Sequence, residues 1–87
     1  MTDPLAELRS LITANDADIV AAVNERLRLV SALWEVKREI GAEQIDPGRE
    51  RRLRDELVAI NTGPLSAAGL ERLLAELLAL TKDELSS

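Results

Sequence analysis

Apolar residues recur along the chain in steps of three and four, the spacing that lays a stripe along one face of an α-helix. They do so in three runs. The first extends from about Leu5 to Ile40 with no proline or glycine inside it. Asp3-Pro4 precedes it, a favoured N-cap followed by the residue best suited to the first helical position, and Gly41 supplies a stop. The pattern predicts a helix over about 5–40 and a loop over 41–46. Asp46-Pro47 repeats the start signal and opens a second helix over about 47–61, ahead of Gly63-Pro64. A third helix, over about 66–85, starts at Ser66, where Leu65 and Leu70 are placed to form a hydrophobic staple. Leu and Ala dominate and β-branched residues are few, so the expected class is all-α.

The three predicted lengths do not match. At about 1.5 Å per residue the first helix is about 54 Å long and the others about 20 and 30 Å. Two short helices cannot cover the whole apolar stripe of the long one, so part of it needs another chain. The reading is a three-helix protomer with one long N-terminal helix, in an intertwined homodimer; an elongated monomer is the plain alternative.

The stripe also carries charge. Stepping from Leu5 by four and three residues traces Leu5, Arg9, Ile12, Asp16, Ile19, Val23, Arg26, Val30, Leu33, Lys37 and Ile40, seven apolar and four charged. Arg26 and Lys37 fall within about 20° of each other near the centre of the apolar face, roughly 16 Å apart along the axis. For a single such residue, a carboxylate partner such as Asp16 or Glu50, or a long stem reaching solvent, is explanation enough. Three cations with one acid among them favour a bound anion. Arg offers paired donors to a carboxylate and Lys a compact charge, so a small dianion satisfies both. Arg9 lies about 26 Å from Arg26 on the same helix and joins such a site only from a second protomer with the long helices antiparallel. On the second helix, Arg49 and Glu50 stand one turn from the Asp46 cap, where free amides and the helix dipole favour an anion. Glu50 suits an acceptor for a hydroxyl or a partner for a basic side chain, while Arg51, Arg52 and Arg54 read as a solvated face.

Composition narrows the chemistry. The chain has 87 residues, 11 basic and 16 acidic, for a formal net charge of -5. That length fits a single domain over 1–87, and a chain so short needs a staple to be robustly stable. Cys and His are both absent, removing disulfides, the usual zinc sites, thiol nucleophiles and imidazole acids or bases. Oligomerisation is the staple left, and neither metal nor cofactor is expected. The acidic balance and the single aromatic, Trp34, argue against nucleic acid as a partner. No run approaches the roughly 20 apolar residues of a membrane span, and the acidic start lacks a secretory pattern, so the expectation is a cytoplasmic protein without a membrane partner. With no glycine-rich phosphate loop and no serine–histidine pair, any catalysis must work through positioning and electrostatics.

Leu8-Arg9, Asn15-Asp16, Glu25-Arg26, Lys37 and Asp46-Pro47-Gly48-Arg49-Glu50 together resemble the all-helical (type II) chorismate mutase family. The resemblance runs from about Leu5 to Leu57 and more weakly through the third helix, and the spacings linking Arg9, Arg26, Lys37 and Arg49 make it fairly specific. It implies a dimer of three-helix protomers with intertwined long helices. It also implies the cofactor-free Claisen rearrangement of chorismate to prephenate, on the route to phenylalanine and tyrosine. Carried over by position, Arg26 holds one substrate carboxylate and Arg9 of the other protomer the second. Arg49 also contacts a carboxylate, and Lys37 donates to the ether oxygen. Glu50 accepts from the ring hydroxyl, with Asp46 nearby in the same role.

The third helix departs from the family pattern. Aligning its leucines puts Thr81 where the family has a small hydroxyl residue that contacts substrate, but Leu85 where it has Gln or Glu as a second donor to the ether oxygen. Glu84 or Lys82 substitutes only if the register shifts. A lost donor of this kind costs about two to three orders of magnitude in rate, so the resemblance implies a weak catalyst alone or one improved by a partner. Some short members of the family gain activity by docking onto 3-deoxy-D-arabino-heptulosonate 7-phosphate synthase, which makes that enzyme an expected partner by analogy. Relatives acting on isochorismate (pyruvate elimination) or 4-amino-4-deoxychorismate (mutase) share the anion clamps. A non-catalytic helical dimer is the alternative from another class.

Overall fold

A computed structural model of the chain describes residues 3–42 and 46–86 and contains α1 (Pro4–Ile40), α2 (Pro47–Ile60) and α3 (Ala67–Leu85). The described residues contain no strand, so the architecture is all-helical, with one helix of 37 residues against two of 14 and 19. Residues 43–45 of the predicted loop lie outside the described residues.

The helix ends follow from local chemistry. Asp3 accepts the Leu5 N–H at 3.0 Å and Asp46 the Arg49 N–H at 3.1 Å, each cap followed by proline. Ser66 caps α3 by accepting the Gly69 N–H at 3.0 Å. At the other end of α1, Gly41 takes φ 73°, a left-handed conformation that a Cβ would make costly, and the Ala42 N–H closes on the Lys37 carbonyl at 2.8 Å. Between α2 and α3, Asn61 binds the turn from both sides: its amide donates to the Leu65 carbonyl at 2.9 Å and its oxygen accepts the Gly63 N–H at 3.1 Å.

Packing runs through α3. It contacts both α1 and α2, while α1 and α2 do not pack directly on each other among the described residues. The buried residues are Leu70, Leu74 and Thr81, which stand four and seven residues apart on one stripe of α3. Neither α1 nor α2 has a buried residue. Along the first twenty described positions, Asp3 to Ala22, every residue is exposed, and Leu5, Leu8, Ile12 and Ile19 each keep more than half of their surface in solvent. From Val23 onward the same helix changes character: Val23, Arg26, Leu27, Val30, Trp34 and Lys37 are half-buried. The chain measures 62 × 26 × 17 Å with a radius of gyration of 16.7 Å, against about 12 Å for a compact domain of this length.

Candidate active site

The C-terminal half of α1, the start of α2 and the end of α3 enclose a cleft of about 600 Å³. From α1 come Arg26 and Lys37 with Val30, Leu33 and Trp34 between them. The start of α2 adds Asp46, Arg49, Glu50 and Leu53. On the α3 side stand Leu78, Ala79, Thr81, Lys82 and Asp83. The lining therefore mixes apolar and charged side chains, with Arg26, Lys37, Arg49 and Lys82 against Asp46, Glu50 and Asp83. That is a receptacle for a small molecule with an apolar body and more than one negative group.

Arg26 is half-buried, and its Nη1 donates to the Thr81 hydroxyl, tying α1 to α3. Thr81 is only 6% exposed, and its hydroxyl donates a hydrogen bond to the Leu77 carbonyl at 2.6 Å. At the start of α2, the Arg49 N–H donated to Asp46 holds that carboxyl below its ordinary value of 3.8, and the charges of Arg52 and Lys37 act in the same direction. Asp46 is thus an anion at neutral pH, already accepting from the backbone, and its carboxylate stands 4.0 Å from the Arg52 guanidinium. Arg49 has Glu56 at 3.8 Å, about two turns further along the same face of the helix, and the Arg49 side chain remains half in solvent. Both pairs are exposed and loose, so each costs little to open when a ligand offers a better partner.

Of the residues that the sequence nominates, the cleft brings together Arg26, Lys37, Asp46, Arg49, Glu50 and Thr81. Arg9 is not among them: it lies on the exposed first half of α1, where its carbonyl accepts from the Thr13 hydroxyl at 3.0 Å. Nor are Leu85 and Glu84, whereas Lys82 is. Trp34 and Asp83 line the cleft without having been singled out. A spacing argument reaches Trp34, since it stands eight residues after Arg26 and three before Lys37 on one helix; Asp83 carries no such signal. Arg54 faces Glu71 of α3 at 3.6 Å, and Arg51 and Arg54 line a second, smaller groove of about 320 Å³ between α2 and α3.

The chain matches the family model for chorismate mutase type II over residues 8–84. Among solved structures it is similar to chorismate mutase form II from Thermus thermophilus, with a TM-score of 0.88 and 27% identity over 93% of this chain and 92% of that one. Form I of the Thermus thermophilus enzyme superposes with a TM-score of 0.87 and 26% identity, covering 91% of this chain and 99% of that one. No match was found among curated proteins.

Proposed function

The chain belongs to the chorismate mutase type II family and is an isomerase of chorismate, and from that premise we infer how its cleft performs the rearrangement to prephenate. One observation carries the reading: two helices of one chain bring Arg26, Lys37, Arg49 and Glu50 around a single cleft of about 600 Å³. Chorismate is a dianion with a hydroxyl and an ether bridge, and these groups match that set in charge and donor type.

The reaction is unimolecular. The ether C–O bond breaks as a new C–C bond forms, with no atom added or lost and no proton taken up. Catalysis therefore consists of holding the compact conformer and stabilising charge that grows on the ether oxygen. Arg26 clamps one carboxylate with its remaining guanidinium donors, and Arg49 contacts a carboxylate from the α2 side. Lys37 donates to the ether oxygen as it becomes negative. Glu50 accepts from the ring hydroxyl, with Asp46 beside it. Lys82, which lines the cleft where Leu85 does not, serves as the second donor to the ether oxygen. Val30, Leu33 and Trp34 keep water from the apolar body of the substrate, which strengthens every charge contact within.

The functional unit is a homodimer with intertwined long helices. The support is the exposed first half of α1, where Leu5, Leu8, Ile12 and Ile19 each keep more than half of their surface uncovered by the described residues. Covering such a side chain contributes about 1.5–3 kcal/mol. A second copy laid antiparallel along that face also carries Arg9 to the partner's cleft, where it clamps the other carboxylate. The cytoplasm is the proposed compartment, and 3-deoxy-D-arabino-heptulosonate 7-phosphate synthase the proposed partner. A titration of that enzyme into the mutase assay, with turnover unchanged throughout, removes it from the account.

The test is loss of chorismate absorbance with the purified protein, product identification by mass, and the same assay on Lys37→Ala. Prephenate from the parent and near-background turnover from the variant is the expected result. Pyruvate release from isochorismate, or isomerisation of the amino analogue alone, reassigns the substrate.

A further inference from the structure

α2 and α3 line a second groove, of about 320 Å³, beside the cleft assigned to the substrate. We propose that this groove is a second ligand site, for a small monocarboxylate with an apolar body, and that its occupant acts on the cleft through a shared wall. The binding follows from the groove alone; the effect on turnover rests on the chorismate mutase reading.

Helical spacing builds the groove. Pro47, Arg51 and Arg54 recur in steps of four and three on α2, and Glu71, Ala75 and Leu78 do so on α3, so each trio lies along one face of its helix. The α3 face is thinnest at Ala75, an exposed residue whose side chain is one methyl. A leucine there would occupy the space.

Charge selects the ligand. Two arginines and two glutamates line the groove, and Arg54 has Glu71 at 3.6 Å across the two helices. Arg49 and Arg52 have Glu56 and Asp46. Arg51 is the arginine of α2 with no carboxylate within 4.0 Å among the described residues. Beside apolar side chains, such a guanidinium offers paired donors to one carboxylate. A second negative group finds no further cation and meets Glu50 or Glu71 instead. The cleft differs, since four cations there face three carboxylates; a dianion suits the cleft and a monoanion the groove.

Glu50, Leu53 and Leu78 line both cavities. Leu53 and Leu78 are half-buried, so a body lodged against them from the groove moves surfaces that the cleft also uses. Glu50 is the acceptor assigned to the ring hydroxyl, and a wedge between α2 and α3 displaces it without occupying the substrate's place. The expected effect is therefore on kcat rather than competition for the cleft.

Phenylacetate is the probe, titrated calorimetrically into the protein at neutral pH beside phenylacetamide, which lacks the charge, and phenylmalonate, which carries two. We expect saturable binding of phenylacetate with a Kd on the order of 1 mM, and binding about tenfold weaker for both comparators. Arg51→Gln removes the anchor and Ala75→Leu fills the groove, so each should weaken phenylacetate about tenfold, whereas Arg26→Met, in the cleft, leaves its binding unchanged. With chorismate saturating, phenylacetate should lower kcat about twofold or more in the parent and have no effect on Arg51→Gln. Absence of saturable binding, or binding that survives both groove variants and is lost in Arg26→Met, overturns the site. A kcat indifferent to bound phenylacetate overturns the shared wall. Binding with the expected pattern among variants, in a protein that does not convert chorismate, upholds the site and overturns the substrate reading instead.

Discussion

The two halves of α1 have the same secondary structure, the same apolar stripe and one arginine each on that stripe, yet they live in different surroundings. Residues of the first half, from Pro4 to Ala22, are exposed throughout. The second half packs on α3, holds Arg26 against Thr81 and lines the cleft with Arg26 and Lys37. Helix formation and amphipathicity are local properties of about one or two turns, whereas burial depends on what another element brings to the face. Arg26 is held at the cleft because α3 stands beside it, whereas Arg9, with no such neighbour among the described residues, is exposed.

The comparison breaks most sharply in the second half. Lys37→Ala should lower kcat/KM about a thousandfold, since no other described group of α1 besides Arg26 offers positive charge to the cleft. A loss under tenfold in steady-state assays sinks the electrostatic account of that half. In the first half, Arg9→Met should cost about a hundredfold, provided that the arginine crosses to a partner's cleft. Unaltered kinetics would make the first half irrelevant to the site. Ile12→Asp, placing a charge on the bare stripe, should halve the sedimenting mass and abolish activity together, while Ala14→Asp on the polar face leaves the mass unchanged.

A mixture joins the two halves in one measurement. Arg9→Met and Lys37→Ala protomers, each inactive alone, should regain about a quarter of parental activity after joint refolding, because half of the dimers then hold one intact site of two. No recovery means that Arg9 serves its own protomer or none.

The smallest effect concerns the start of α2. Asp46 has its carboxyl pKa lowered in the fold from the ordinary 3.8, first through the Arg49 N–H and then through Arg52 and Lys37. A lowered folded value means that the capping contribution is complete above the unfolded value and is lost as pH falls from 3.8 through the lower folded value. Asp46→Asn keeps an N-cap acceptor without that titration, so its melting temperature should depend less on pH across the same acid window. Equal acid dependence in both proteins would remove Asp46 from the account of α2 stability.

Much of the candidate site was legible before any fold was known, in that several nominated residues line one cleft. Arg26 and Lys37 stand out because cations in the middle of an apolar stripe need a reason, and Arg49 and Glu50 because they follow a helix start. Trp34 was reachable by its spacing from Arg26 and Lys37, but a position beside the apolar stripe suits core packing as well as a cleft wall. Lys82 and Glu84 could not be separated: both lie near the end of α3, and only the rotation of that helix against α1 decides which one lines the cleft. The same rotation leaves Leu85 half-buried outside it.

By itself, then, the sequence determined what is local: three helices with caps at Asp3, Asp46 and Ser66 and a glycine stop at Gly41, and an apolar stripe interrupted by charged residues. Capping and periodicity act over one to two turns, so neighbouring residues suffice to specify them. The tertiary structure alone decided that α3 is the packing centre, that Thr81 holds Arg26, and that the second half of α1 and not the first meets a cleft. Those facts depend on contacts between residues far apart in the chain, 55 positions in the case of Arg26 and Thr81. Their geometry is set by how three helices share one small apolar seam, a quantity that no single stretch of the chain contains.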